Sequence, residues 1–284
     1  MNNLSDIGVI KSILSKHGFT FSKSLGQNFL INPSVCPRMA ELSGAGKGVG
    51  VIEIGPGIGV LTNELCKLSD KVVAIELDKR LLPVLDETLA EYDNVKIVNA
   101  DVMELDLKKL IEEEFENMEV VVCANLPYYI TSPVIMKLLE SKLPINSVTV
   151  MVQKEAAQRM CAEVGSRASG AVTVAVNYYA DVQMLFGVSA GSFMPAPKVD
   201  SAVMRLDILK VPPVDTDEKS FFAVVKAAFS QRRKTVANSL SSGLGLEKAK
   251  VIDLLEKSNV SANARAETLS MQNFADIAAN LAKG

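Results

Sequence analysis

A chain of 284 residues, 48% apolar and 22% charged, has room for one large α/β domain and a small companion, and its balance is that of a globular protein rather than a disordered or fibrous one. No apolar run reaches the roughly 18 residues of a membrane span, the polar N-terminus does not read as a signal peptide, and the scattered Cys36, Cys66, Cys123 and Cys161 form no C-x-x-C pair; neither zinc nor a disulfide framework is expected, and reduced thiols suit the cytoplasm. The net charge of −3 conceals an asymmetry, about +3 over residues 1–50, −8 over 51–212 and +2 over 213–284, which leaves a polyanionic partner open.

Ile7, Ile10, Ile13 and Leu14 recur at helical spacing and predict a helix over 4–17. The polar segment Ser22-Lys23-Ser24-Leu25-Gly26-Gln27-Asn28-Phe29-Leu30 reads as an ordered loop, Asn32-Pro33 as a turn, and 34–43 as a short helix. From residue 49 strands and helices alternate. Strands are predicted over 49–55, 71–77, 95–100, 119–124 and 147–153, with helices near 58–68, 79–91, 106–117, 132–141 and 154–164. An apolar stretch at 171–180 and strands near 182–189 and 201–209 follow. This alternation predicts a mainly parallel sheet covered by helices on both faces. At Pro212-Pro213 and Asp215-Thr216-Asp217-Glu218 the rhythm breaks, which predicts a boundary between domain 1–210 and an all-α domain 211–284 with helices over 217–229, 231–241, 246–257 and 270–282. Small polar breaks, Ser241-Ser242-Gly243 and Ser258-Asn259, separate these helices.

Four strand ends carry the chemistry. The first runs into Glu53-Ile54-Gly55-Pro56-Gly57-Ile58-Gly59, where glycines permit a tight turn and close approach of a ligand to the main chain. The spacing is G-x-G-x-G, with Val60 where a dinucleotide fingerprint would have its third glycine, and this arrangement with the acid Glu53 resembles motif I of S-adenosylmethionine-dependent methyltransferases. Glu76 ends the second strand, 21 residues past Gly55, where a carboxylate can accept from both hydroxyls of a ribose. Asp78 is expected to cap the next helix. Asp101 ends the third strand and can accept from an adenine amine. The fourth ends in Asn125-Leu126-Pro127-Tyr128: a carboxamide oxygen for an exocyclic amine, a proline that biases Leu126 toward an extended backbone, and a flat ring on which a base can stack. Taken singly, each has a plainer alternative: a glycine turn, a helix cap, or a proline turn with Tyr128 as core filler.

The order of glycine loop, ribose acid, adenine acid and amine grip resembles the adenine-N6 methyltransferases. Three further segments, Lys23 to Leu30, Val152 to Met160 and Ser192 to Val203, are similar to the small-subunit ribosomal RNA adenine N6,N6-dimethyltransferase family. The resemblance covers about residues 20 to 210 and extends through Gln231-Arg232-Arg233-Lys234. It implies a Rossmann-like S-adenosylmethionine-dependent methyltransferase sheet and dimethylation of two adjacent adenosines near the 3′ end of small-subunit ribosomal RNA. It also implies that Asn28, Leu30, Gly55, Gly57, Glu76, Asp101 and Asn125 hold the cofactor. Asn125, Leu126, Pro127, Tyr128 and Phe193 would hold the target base, while Lys23, Arg159, Arg167, Lys198, Arg232, Arg233 and Lys234 would meet RNA phosphates. The expected partner is ribosomal RNA within an immature 30S-type particle, with a monomeric enzyme, no membrane and no metal. The competing readings are a large-subunit rRNA adenine methylase, a DNA adenine methyltransferase lacking a visible target-recognition domain, and a ribosome-assembly factor for which methylation is secondary.

Overall fold

In the computed structural model, which describes residues 4–20, 27–231 and 233–283, the alternation of strands and helices becomes a seven-stranded mixed sheet. Helix α1 (Ile7–Lys16), the two-residue strand β1 (Phe29–Leu30) and α2 (Val35–Leu42) come first. Next are β2 (Val49–Ile54), α3 (Val60–Leu68), β3 (Lys71–Glu76), a 3-10 turn at Lys79–Leu81, α4 (Leu82–Thr88), β4 (Val95–Asn99) and α5 (Leu107–Glu114). They are followed by β5 (Glu119–Asn125), a 3-10 turn at Tyr128–Ile130, α6 (Thr131–Glu140), β6 (Ser147–Gln153), α7 (Lys154–Met160) and α8 (Ala171–Tyr179). Strands β7 (Ala180–Val188), β8 (Phe193–Met194) and β9 (Ser201–Ile208) precede α9 (Glu218–Ala228), α10 (Val236–Leu244), α11 (Lys248–Lys257) and α12 (Met271–Lys283).

The strand order is β4-β3-β2-β5-β6-β9-β7. Strands β4, β3, β2, β5 and β6 are parallel, and β9 runs antiparallel to β6. The central strands are apolar almost throughout because helices cover both faces: Val51, Ile52, Val73 and Val122 are fully buried. Each such side chain contributes about 1.5–3 kcal/mol. Strand order reverses between β2 and β5, which opens a crevice at the carboxyl ends of these two neighbours.

Strands β1 and β8 form a separate antiparallel ribbon, pairing Phe29 with Met194 and Leu30 with Phe193. Ile31 N donates to Ser192 O at 2.9 Å and Asn32 Nδ2 to Ser192 Oγ at 3.2 Å. Helix α1 is capped by Asp6, which accepts from Val9 N at 3.0 Å, and it buries Ile10, Ile13 and Leu14 with Phe29, Ile58, Leu81 and Val84. Lys16 Nζ and His17 Nε2 reach Glu87 of α4 at 2.8 and 2.7 Å.

The chain divides into two compact units, Met1–Ala157 with Gln183–Ile208, and Gln158–Val182 with Leu209–Gly284. The second unit resumes at Leu209, close to the expected boundary at 210, and it also takes in the segment 158–182. Helix α8 of this segment buries Val174 and Tyr178 in the core of the C-terminal helices, and the Tyr178 ring lies 4.9 Å from that of Phe221. Asp217, from the acidic stretch read as a break, caps α9 by accepting from Ser220 N at 2.8 Å. The helix expected over 231–241 begins at Val236, with Lys234 N donating to Gln231 O at 3.0 Å before it. Ser241 to Gly243 do not interrupt it: a Cβ at Gly243 would stand 2.7 Å from Ala227, so the glycine permits close packing on α9, and the helix ends at Gly245 with φ +68°.

Candidate active site

A cleft of about 1090 Å³, open to solvent, lies at the carboxyl ends of β2, β3, β4 and β5. Its floor is the glycine loop, with φ of 71°, 61° and 88° at Gly55, Gly57 and Gly59, all in the region that other residues avoid. A Cβ at Gly55 would meet no atom within 4 Å and would project into open space, whereas one at Gly57 would press on the Phe29 ring at 3.2 Å. The backbone is therefore bare where a ligand would approach, and Phe29 seats on the loop from the other side.

Three carboxyls line this side of the cleft. Glu76 is 6% exposed and its Oε1 accepts from Asp78 N at 2.7 Å. Burial pushes its carboxyl up to about 6, against the pull of backbone N–H groups from Asp78, Gly57 and Leu77. Asp101 Oδ1 accepts from Met103 N at 2.8 Å. Glu53 is 1% exposed, and burial, reinforced by the charge of Glu76, pushes it up to about 8. Its Oε2 has no hydrogen-bond partner among the described residues. In the sequence Glu53 served only to mark the motif; the signal for more was an acid inside an otherwise apolar strand.

Asp78 caps the turn as expected, with Oδ1 accepting from Arg80 N at 3.1 Å. It also pairs with the Arg80 guanidinium at 2.8 and 2.7 Å and accepts from Gln27 Nε2 at 2.8 Å. The guanidinium holds the Asp78 carboxyl below its usual range. Gln27, Asn28, Phe29 and Leu30 line the cleft, so the Gln27–Asp78 bond anchors the start of this stretch at its rim. Leu30, 3% exposed, also belongs to the core with Phe193.

The opposite side is neutral. Asn125 is the last residue of β5 and pairs with Met151 in the ladder, and Leu126 N continues it by donating to Met151 O at 3.2 Å. The Leu126 side chain is 1% exposed, so it fastens the tip from below. Pro127 O accepts from Ile130 N at 3.2 Å, which closes the 3-10 turn. The Tyr128 hydroxyl bonds Ser201 Oγ of β9 at 2.7 Å, and burial raises its pKa. Ser201 thus fixes the plane of the ring, a contact across 73 residues that no local pattern announces. Phe193, 4% exposed, lines the cleft while packing in the core.

The cleft thus brings together all the residues expected at the cofactor and the base, from Asn28 to Phe193. Of the expected phosphate-binding residues, none of those described lines it. Lys198 is exposed on the sheet unit, and Arg159, Arg167, Arg233 and Lys234 are exposed on the helical unit; Lys23 and Arg232 lie outside the described residues. Among the described residues no helix is long and apolar enough to cross a membrane.

Residues 18–283 match the family model described as ribosomal RNA adenine dimethylase. The chain belongs to this family. It is accordingly an S-adenosylmethionine-dependent ribosomal RNA adenine dimethyltransferase. The ribosomal RNA small subunit methyltransferase A of Alkaliphilus oremlandii is 48% identical to it, with 100% of this chain and 99% of the relative covered. That of Oceanobacillus iheyensis is 46% identical over 94% of this chain and 92% of the relative. Among solved structures, a dimethyladenosine transferase from Plasmodium falciparum superposes with a TM-score of 0.75 at 25% identity, covering 90% of this chain and 98% of that one. The 23S rRNA methyltransferase ErmE superposes with a TM-score of 0.68 at 26% identity, covering 90% and 100%. The enzyme therefore shares its architecture with a dimethyladenosine transferase and with a 23S rRNA methyltransferase, while the relatives of 46–48% identity are small-subunit methyltransferases by name.

Proposed function

We propose that the enzyme transfers methyl groups to the N6 amines of two adjacent adenosines near the 3′ end of small-subunit ribosomal RNA, within an immature 30S-type particle in the cytoplasm. The observation that carries this reading is the position of Asn125: it ends β5 beside the glycine loop of β2, at the reversal of strand order, with Tyr128 pinned next to it. The small-subunit relatives, 48% and 46% identical, favour that RNA over the large-subunit target named for ErmE at 26%.

The residues present fit the cofactor. The open Gly55 turn and Gly57 admit a ligand to the backbone, Glu76 accepts from two ribose hydroxyls, and Asp101 accepts from the adenine amine. The unpaired, buried Glu53 Oε2 suits an ammonium group. Asn28 and Leu30 close the cleft from the covering segment. When bound, S-adenosylmethionine supplies an electrophilic methyl carried on a sulfonium.

The adenine N6 lone pair is delocalised into its ring and is a poor nucleophile. Asn125 Oδ1 and the Leu126 carbonyl accept from the amine, which favours a more tetrahedral nitrogen with its lone pair available. Pro127 holds these two acceptors in register, Tyr128 stacks on the extruded base, and Phe193 borders its other side. Positioning of this kind supplies several kcal/mol of the barrier. Once methylated the nitrogen is cationic and strongly acidic, so its proton passes to water without a dedicated base. A second round on the same nitrogen gives N6,N6-dimethyladenosine. Lys23, Arg159, Lys198, Arg232, Arg233 and Lys234 contact RNA phosphates and hold the substrate in register. The enzyme works as a monomer and contributes to maturation of the subunit.

The test is to incubate the protein with labelled S-adenosylmethionine and immature small subunits, with large-subunit RNA in parallel, and to map the modified bases. Label on two adjacent adenines of small-subunit RNA is the expected result. Label on cytosine or only on large-subunit RNA overturns the reading.

A further inference from the structure

Tyr129 is 55% exposed and is the one aromatic among the exposed large apolar residues of the described chain. It lines the cleft next to Tyr128, and among the described residues it has no hydrogen-bond partner and no aromatic neighbour. A ring in this condition adds little to folding, because most of its apolar area still faces water. Its backbone is nonetheless held on both sides. Tyr128 is tied to Ser201 at 2.7 Å, and Pro127 O accepts from Ile130 N at 3.2 Å and from Thr131 Oγ1 at 3.4 Å. The loose ring thus stands on a fixed turn at the wet edge of the pocket.

The chemistry of the proposed reaction leaves something for such a ring to bind. To reach Asn125 the target base must leave its stack, and each nucleotide flanking it then loses a stacking neighbour. Tyr128 is taken by the target itself, so a second ring one residue further along faces the next candidate. We propose that Tyr129 is a stacking platform for the nucleobase flanking the target adenine, which makes the mouth of the cleft a second, non-reacting subsite for single-stranded RNA. Stacking requires the ring and not the hydroxyl, and it is tolerant of base identity because every base has a π-face. The subsite therefore sets the reach and register of the RNA rather than the choice of base.

This inference rests on the reading of the reaction above, and the experiment separates the two. The full-length protein and its Tyr129→Ala and Tyr129→Phe variants are compared on small-subunit RNA and on the same RNA carrying abasic nucleotides beside the target. RNA affinity without turnover, methyl transfer, and cofactor affinity as a check on the fold are all measured. Tyr129→Ala is expected to weaken RNA binding and raise KM about tenfold with kcat much less affected, and Tyr129→Phe to restore both. On the abasic RNA, wild type and Tyr129→Ala should become equal. Equal affinity and KM for wild type and Tyr129→Ala on intact RNA overturns the proposal, and so does a defect that persists in full when the flanking bases are absent. If the wild type binds RNA but transfers nothing to adenine, the reading of the reaction fails, while the binding comparison still decides the role of Tyr129.

Discussion

On the side of the cleft built from β2, β3 and β4 the functional atoms are carboxyl oxygens, those of Glu53, Glu76 and Asp101. On the side built from β5 they are a carboxamide, a main-chain carbonyl and a phenol bound to Ser201. In the proposed function the acids meet the hydroxyls and amines of the cofactor, groups that donate to a carboxylate in every state of the reaction. The neutral side would then face a base that is uncharged before transfer and cationic immediately after it. A fixed carboxylate there would grip the charged product, whereas an amide oxygen holds the amine without that penalty. On the proposed roles, binding of the methyl donor and activation of the acceptor rest mainly on different strands, with Asn125 between them, so they should fail largely separately.

The largest effect is expected from Asn125→Ala. Loss of an oriented acceptor at the reacting atom should lower kcat/KM by about 10²–10³, with a much smaller change in cofactor affinity. If cofactor binding falls as far as catalysis, the division between the two sides is broken. Glu76→Ala should weaken the cofactor by about 10²-fold while RNA affinity is kept, as titration of each ligand would show. The wild-type pH profile sharpens the same point. On the proposed roles only the ionised Glu76 accepts from two hydroxyls, and burial puts its pKa at about 6, so its contribution to cofactor affinity is full above that pH and falls as the pH drops through it, while Glu53, pushed up to about 8, titrates at higher pH. A Glu76→Gln variant should flatten the profile around pH 6, and an affinity that rises toward acid there would refute the assignment.

Tyr128→Phe and Ser201→Ala each remove the 2.7 Å bond that fixes the stacking ring, and each should cost about threefold to tenfold in kcat. The double variant should be no worse than either single one, because both remove the same interaction. Additive losses would show that the two residues act independently. The smallest effect concerns residues of the helical unit. Arg233→Ala and Lys234→Ala should each lower the slope of RNA affinity against salt by about 1, without a change at saturating RNA. An unchanged slope would remove these residues from the RNA surface.

Much of the sheet unit was legible because a parallel strand buried on both faces writes itself as an apolar run, as in Val120 to Ala124. In such a sheet the carboxyl ends share one edge, so Gly55, Glu76, Asp101 and Asn125 could be assigned to one site from chain order alone. Contacts between distant segments were not legible. The ribbon of β1 with β8 has two residues per strand, too few to show a period, and Ser201 reads as an ordinary strand residue until Tyr128 is placed beside it. The stretch 171–180 is apolar enough to suit a helix or a buried strand; the structure makes it α8, and only its packing among the C-terminal helices shows which unit owns it.

The order in which the chain is synthesised gives the Tyr128–Ser201 bond another meaning. A growing chain that has reached Gln153 already contains Gly55, Glu76, Asp101, Asn125 and Tyr128, and five strands of the sheet. It lacks β9, hence the hydroxyl that pins the stacking ring, and it lacks Phe193, which pairs with Leu30. Between β6 and β9 the chain first passes through segment 158–182 of the other unit. Glu76, Asp101 and Asn125 are therefore synthesised before both the tether of Tyr128 and the partner strand of Leu30, which arrive with the segment leading into β9, the strand that pairs with β6. On the proposed roles, a nascent chain that stops before β9 would hold Glu76 and Asp101 but lack the hydroxyl that tethers the ring meant for the target base.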